Sequence, residues 1–244
     1  DVSSAIATSI NDTESKKDED IDNNDALTSS VQLDAPSNQE ELFSSVSSIV
    51  PSLNAIVSEN DKLSTIVSTI LINLITPNLK SKNAPKSISS YHLELLEELS
   101  KEYSSVKSLK FLISEAFNDS QFFNANVEDT SYWNAILKNW IKNDAGDKLS
   151  EYINRLTSSN ASNIFSWNEN EQVVRATTLK RIAYLLLVCD KDQHIVLLKE
   201  IFDKLGWLFN QNISSSAEIF LVIRSVLLRF SPIHLYDHWT FIYT

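Results

Sequence analysis

One stretch decides the fold class of this chain: Val173-Val-Arg-Ala-Thr-Thr-Leu-Lys-Arg-Ile-Ala-Tyr-Leu-Leu-Leu-Val-Cys189. It contains neither proline nor glycine, and from Ile182 to Cys189 apolar side chains occupy almost every position. A helix with apolar residues all round its axis is buried among neighbouring elements instead of lying on a surface. The stretch therefore predicts a long helix at the centre of a helical protein.

The composition of the whole chain also favours helices. The chain has 244 residues, which is enough for one sizeable core or a short helical array. They include only two glycines, Gly146 and Gly206, and five prolines. Apolar residues make up 43% and charged residues 22%, as in an ordinary folded protein. Sandwiches, barrels and Rossmann folds need glycine at positive φ in their tight turns, so the scarcity of glycine argues against them.

Further helices are predicted wherever apolar residues recur at helical spacing. Ser37-Asn-Gln-Glu40 is a capping-box sequence that predicts the start of the first helix, and Pro77 predicts the end of the second. Asp192 predicts the start of the helix after the long one, and Ser231-Pro232 starts a final helix. The other segments with helical spacing are about 37–50, 61–75, 89–104, 106–117, 129–141, 148–156, 192–209 and 217–230.

These helices predict an all-α fold. Successive amphipathic helices with short connections favour antiparallel helix pairs, as in an α-solenoid of the HEAT or armadillo type. No fixed sequence period is visible, so a compact irregular helical bundle stays open as the alternative.

Charge and composition divide the chain into two regions. Residues 1–36 are rich in Ser, Asn and Asp and have few apolar side chains, so we expect an acidic disordered linker there. Residues 37–244 form the helical region. Residues 1–41 hold eleven acidic and two basic residues, which accounts for −9 of the net charge of −11. The remainder is nearly neutral, which argues against binding to nucleic acid.

The sequence shows no catalytic or cofactor-binding motif. Two glycines cannot form a phosphate-binding loop, and there is no Gly-x-Ser-x-Gly sequence. His234 and His238 have the spacing of metal ligands on a helix, but no second motif completes a site. Cys189, the only cysteine, is expected in the core. We therefore predict no enzyme activity, no cofactor and no metal.

Two further features concern the membrane and the extent of the chain. No apolar run approaches the roughly 18 residues that a bilayer-spanning helix requires, so we expect a cytosolic protein that is at most peripheral to a membrane. The chain starts at Asp1, contains no methionine and ends in an apolar stretch, from which we expect a region of a longer protein, truncated at its end.

Cations interrupt the apolar helices of the last third of the chain. They are Arg175, Lys180, Arg181, Arg224 and Arg229. A buried cation must be paired, so one interpretation is that they form internal ion pairs. The acids available for such pairs are Glu171, Asp190, Asp192 and Glu218. The other interpretation is a basic ridge that binds an acidic partner or anionic lipid. His234 and Trp239 complete this set of candidate interface or ion-pair residues.

A second group of cations, Lys80, Lys82 and Lys86, lies in a predicted loop around Pro85. Joined with Arg175, Lys180 and Arg181, these lysines would form a basic surface for anionic lipid headgroups, and they are the candidate lipid-facing residues.

The last third of the chain resembles the C-terminal region of the Dopey family. Arg175-Ala176 with Leu179-Lys180-Arg181 is similar to the Arg-Ala, Leu-Lys-Arg helix of that family, and Asp192-Gln193 is similar to its Asp-Gln helix start. The further matches, in the order found in the family, are Phe220-Leu221, Arg224, Leu227-Leu228-Arg229, Ser231-Pro232, His234-Leu235 and Trp239. The Asn- and Ser-rich composition suits a fungal member.

The resemblance implies a non-enzymatic scaffold, peripheral on the cytoplasmic face of Golgi and endosomal membranes, with a task in traffic between endosomes and Golgi. The implied partners are a large HEAT-repeat protein related to Arf exchange factors and a type IV P-type ATPase that flips phospholipids; self-association stays open. The alternative function is a peripheral membrane module that binds anionic lipid headgroups through its basic helical surface.

Overall fold

The computed structural model describes residues 38–79, 88–142, 144–157, 169–210 and 216–243. These residues belong to the unit Pro36–Thr244. They form mainly helices, and the described segments contain no strand, which confirms the all-α fold. The predicted disordered linker at residues 1–36 lies outside the described residues and stays a prediction.

The α-helices of the described residues account for most of these segments. In chain order they are α1 (Asn38–Ile49), α2 (Leu53–Ile56), α3 (Asn60–Ile70), α4 (Thr76–Leu79), α5 (Ser90–Glu102), α6 (Lys107–Asn118), α7 (Thr130–Ile141), α8 (Asp147–Arg155), α9 (Glu169–Val188), α10 (Leu198–Asn210), α11 (Ser216–Arg229) and α12 (Trp239–Tyr243). Short 3-10 helices occupy Val50–Ser52, Phe122–Asn124, Val127–Asp129, Ile195–Leu197 and Pro232–His238.

Two predicted helix boundaries are wrong. Pro77 does not end its helix, because a π-helical turn at Leu71–Ile75 precedes it and Pro77 is the second residue of α4. The Thr76 N–H bonds the Leu71 carbonyl, five residues back, so the regular i to i−4 ladder is interrupted just before Pro77 and the helix accommodates a residue without an N–H. Asp192 does not start α10, which begins at Leu198. The backbone of Asp192 is left-handed, with φ 62°, and the Asp192 carboxylate accepts hydrogen bonds from Ser231.

The long helix α9 lies at the centre of the packing, as its sequence predicts. Leu179, Ile182, Leu185 and Leu186 are at most 1% exposed. α9 contacts α7, α8 and α11, and its contact with α11 is the most extensive between any two described helices.

The helices pack in an alternating order. α1 packs on α5, α5 on α7, α7 on α9 and α9 on α11, while α3 meets α6 and α8 meets α10. From α5 to α11 these contacts join every second helix, as expected when helix pairs stack in two layers, whereas α8–α9 and α6–α7 contact as direct neighbours. The HEAT-like solenoid nevertheless remains a prediction, with the compact bundle as its alternative.

Candidate functional site

Arg181 extends from α9 to the C-terminal end of α6. Its guanidinium donates from Nε to the carbonyl of Phe117 (2.9 Å) and from Nη2 to the carbonyls of Asn118 (2.8 Å) and Asp119 (3.1 Å). The last carbonyls of a helix lack intrahelical partners and carry the negative end of the helix dipole. Arg181 is 9% exposed, and this burial lowers its pKa. It is a structural residue that joins α9 to α6.

A polar cluster completes the same helix end. The side-chain oxygen of Asn118 accepts hydrogen bonds from the Tyr152 hydroxyl (3.0 Å) and from Nη1 of Arg155 (3.1 Å). The Arg155 guanidinium also lies 4.8 Å from the centre of the Tyr152 ring. Burial raises the pKa of Tyr152, so its hydroxyl keeps the proton that it donates. Sequence reasoning missed this cluster, because no local pattern relates α6 to α8.

Arg229 makes a similar connection between α11 and α9. Its Nη2 donates to the carbonyl oxygen of Leu187, in the last turn of α9. The carbonyl oxygen of Arg229 in turn accepts a hydrogen bond of 3.0 Å from the backbone N–H of Asp192. For both Arg181 and Arg229, the hydrogen-bond acceptors are backbone carbonyls and not the acidic side chains that the sequence suggests.

Asp192 binds the residue that precedes a helix much later in the chain. Its Oδ1 accepts from the backbone N–H of Ser231 (2.6 Å) and its Oδ2 from the hydroxyl of Ser231 (2.6 Å). Ser231 is the N-cap of the 3-10 helix Pro232–His238. The two hydrogen bonds from Ser231 lower the pKa of Asp192, and His234 adds a smaller effect in the same direction. The Asp192–Ser231 pair thus fixes the chain after α11 against the turn after α9.

Lys180 and Arg175 both have neighbours within the protein. Nζ of Lys180 lies 3.8 Å from a carboxylate oxygen of Glu218, one of the acids proposed from the sequence. The guanidinium of Arg175 lies 5.7 Å from the centre of the Trp207 ring, which is a cation–π distance. Both contacts hold α9 against the helices that follow it.

Arg224 differs from the other candidate cations. It is exposed on α11, and no acidic group of the described residues forms an ion pair with it. The side chains around it on the same side of the helix are large, apolar and exposed. This side, named the outer face of α11, consists of Phe220, Leu221, Arg224, Leu227 and Leu228. An apolar face with one central cation can bind a partner but has no nucleophile or general base.

The remaining C-terminal candidates pack against the core. His234 and Trp239 are half-buried, and Trp239 contacts the hydrophobic core. The ring of His238 stacks on Phe202, with centroids 4.3 Å apart. Within the described residues, His, Cys, Asp and Glu side chains form no group able to hold a metal ion.

The proposed lipid-binding surface is only partly described. Lys80, Lys82 and Lys86 lie outside the described residues. Of the three arginines and lysines grouped with them, Arg181 is turned into the interior and cannot reach a headgroup. A membrane-spanning helix is not found in the part of the chain that the structure describes.

Comparisons with known proteins identify relatives of this chain. The chain is 28% identical to Protein dop1 of Emericella nidulans over 227 residues, which cover 88% of this chain and 12% of that protein. It is 28% identical to Protein DOP1 of Saccharomyces cerevisiae over 191 residues, which cover 75% of this chain and 11% of that protein. It is 30% identical to the Protein DOP1 homolog of Drosophila melanogaster over 190 residues, 75% of this chain and 7% of that protein.

The chain spans no more than 12% of the length of these three relatives. No solved structure matches it. The sequence profile of the family described as DOP1 C-terminal matches residues 3–244. From this match, and in agreement with the Dopey resemblance of its last third, the chain belongs to the DOP1 C-terminal family.

Proposed function

We propose that the chain is a non-enzymatic scaffold module in membrane traffic between endosomes and Golgi. It acts on the cytoplasmic face of Golgi and endosomal membranes, where it is held as a peripheral protein. Its partners are a large HEAT-repeat protein related to Arf exchange factors and a phospholipid flippase. The observation that carries this proposal is the match of residues 3–244 to the DOP1 C-terminal family.

The packing of the helices supports a binding role. Arg181 connects α9 to the end of α6, and Arg229 connects α11 to the end of α9, so buried or partly buried hydrogen bonds join these helices. A rigid helical array can present side chains to a partner at a low cost in conformational entropy. The outer face of α11 is such a surface, because its apolar side chains remain exposed.

The lipid-binding alternative receives less support from the described residues. A headgroup-binding surface typically needs a cluster of several basic side chains. Arg181 is buried, Lys180 lies beside Glu218 and Arg175 lies over Trp207, so each of these cations already has a neighbour within the protein.

Imaging in cells tests the proposed location and role. The 244-residue chain, fused to a fluorescent protein and expressed in fungal cells, should colocalise with Golgi and endosome markers. A signal restricted to other organelles would contradict the proposal. Flotation of the purified chain with liposomes separates the two functions: strong binding that requires anionic lipid and is lost at high salt would favour the lipid-binding alternative.

A further inference from the structure

We propose that the outer face of α11 docks an amphipathic helix of a partner protein, and that this helix carries a carboxylate opposite Arg224. The inference deepens the proposed scaffold function and rests on it, because it assigns a surface and a chemical class of partner.

Helix α11 is apolar on two sides, and in the part of the chain that the structure describes only one of them is packed in the core. On the other side, the Phe220 ring lies 6.1 Å from that of Phe209. The side that faces the core contains Ile219, Val222, Ile223 and Val226, of which none is more than 6% exposed. On the outer face, the exposed fractions are 57% for Phe220, 38% for Leu221, 39% for Leu227 and 66% for Leu228. A helix with apolar residues all round its axis is typical of a helix buried on all sides. The outer face therefore has the composition of a contact surface.

The spacing on the outer face fits a helix as the partner. Leu221, Arg224 and Leu228 recur at intervals of three and four residues, and Phe220 and Leu227 flank them. This is the spacing with which one helix packs its side chains between those of another. The exposed stripe runs along α11 for two turns, enough for several anchor residues of a docked helix.

Arg224 determines which charge we expect on the partner helix. Among the described residues, Arg181 and Arg229 bind helix carbonyls and Lys180 meets Glu218, whereas Arg224 forms no ion pair with an acidic side chain. A partner that covers the apolar stripe also removes water from Arg224. A desolvated guanidinium requires a hydrogen-bonded counter-charge, and carboxylates match its geometry. The docked helix must therefore place an Asp or Glu in the middle of its apolar side.

A second copy of the chain does not fulfil this requirement. Arg224 lies midway between Leu221 and Leu227, so a two-fold axis at the centre of the stripe would bring two copies of Arg224 together. No residue of the outer face is acidic, and the two guanidinium groups would repel each other without compensation.

An anionic membrane is also a poor occupant. Recognition of anionic lipid by a protein surface generally uses about four to eight basic side chains. The outer face offers one cation among four large apolar residues. A single charge directed at one carboxylate fits a polypeptide partner better.

Site-specific photo-crosslinking tests this inference in the full chain. p-Benzoylphenylalanine replaces Phe220 on the outer face, and in a control protein it replaces Phe111, which is 63% exposed on α6. After irradiation in fungal cells, mass spectrometry maps the crosslinked peptide. We expect an adduct at position 220 with an amphipathic helical segment of another protein that has Asp or Glu on its apolar side. We expect no such adduct at position 111.

Charge variants supply the second part of the test. Arg224→Glu should reduce the yield of the adduct by about tenfold or more. Lys110→Glu, the same change at an exposed lysine of α6, should leave the yield unchanged. Replacing the mapped carboxylate of the partner by Lys should restore the adduct with Arg224→Glu. Leu228→Gln, an uncharged change on the same face, should lower the yield as well, and each variant is first checked for the wild-type melting temperature.

Several results would overturn the inference. They are an adduct with a second copy of the chain, an adduct with phospholipid, no adduct beyond the level of the Phe111 control, and a yield that Arg224→Glu does not change.

Failure of this inference can be distinguished from failure of the proposed function. Capture of trafficking proteins without crosslinks at position 220 would remove only the assigned surface. A mapped acidic helix from a protein outside membrane traffic would keep the surface and remove the proposed role.

Discussion

Arg181 and Phe117 are 64 residues apart in the sequence and are joined by a hydrogen bond of 2.9 Å from the guanidinium Nε to the carbonyl oxygen. The same guanidinium reaches the carbonyls of Asn118 and Asp119, so one side chain from α9 terminates α6. Because these carbonyls have no partner within α6, the stability of this helix end depends on Arg181.

Arg181→Leu should therefore destabilise the protein markedly. The change leaves the buried or partly buried carbonyls of Phe117 and Asn118 without a charged donor, and we expect the free energy of unfolding to fall by about 2–4 kcal/mol. Urea unfolding followed by circular dichroism measures this difference. Lys180→Leu on the same helix is the matched control, since its half-exposed pair with Glu218 should contribute only about 0–1 kcal/mol. Equal stabilities of the two variants would contradict the assigned role.

Arg229→Leu should lower the melting temperature by a smaller amount. Arg229 is half-buried and has a single carbonyl acceptor, Leu187, so we expect a loss of about 1–2 kcal/mol in the free energy of unfolding. Differential scanning calorimetry provides the measurement. An unchanged melting temperature, together with lost binding of a partner, would instead assign Arg229 to an interface.

The Asp192–Ser231 contact should make stability depend on pH. Hydrogen bonds from Ser231 lower the pKa of Asp192 in the folded state. Such a carboxyl stabilises the fold above its unfolded pKa, which is about 3.9, and the contribution is lost as pH falls through the lower folded value. Asp192→Asn keeps one acceptor, tolerates the left-handed backbone and cannot titrate.

We therefore expect the wild-type protein to be more stable than Asp192→Asn at pH 7. The difference in unfolding free energy should shrink as the pH is lowered below about 4, because the wild-type carboxyl then becomes protonated. Urea unfolding of both proteins at pH 7 and pH 3 measures this change. The role assigned to Asp192 fails if the difference stays constant or increases in acid.

Cys189 should resist alkylation in the folded protein. Burial raises the pKa of its thiol to about 12, so almost no thiolate is present at pH 8. Iodoacetamide at pH 8 should leave the native protein unmodified and should label it rapidly in urea, as followed by intact mass. Rapid labelling without urea would show that the end of α9 is open to solvent.

Helical periodicity made most of the fold predictable from the sequence. The apolar positions of Val173–Cys189 predict a central buried helix, and α9 is found there. Most other predicted helices end within two residues of the observed ones. Spacing of apolar residues is a local property of the chain, so it can be read without knowledge of the fold.

The contacts of the polar side chains were not predictable in the same way. Asp192 looks like a helix N-cap in the sequence. In the structure, its carboxylate oxygens accept hydrogen bonds from Ser231, 39 residues later. The sequence allows Arg181 and Arg229 either internal ion pairs or a place on a basic ridge, and both bind carbonyls at helix ends instead. These partners are set by how α6, α9 and α11 pack, and that packing leaves no signal near either residue. The exposure of Arg224 likewise follows from the rotation of α11 about its axis.

Affinity purification tests the central claim, that this chain is a protein-binding module in membrane traffic. The immobilised 244-residue chain is incubated with detergent-solubilised fungal membranes, with a charge-matched control protein alongside, and mass spectrometry identifies the bound proteins. We predict enrichment of the HEAT-repeat protein related to Arf exchange factors or of the phospholipid flippase over the control. Equal recovery of both proteins from the chain and the control would contradict the claim.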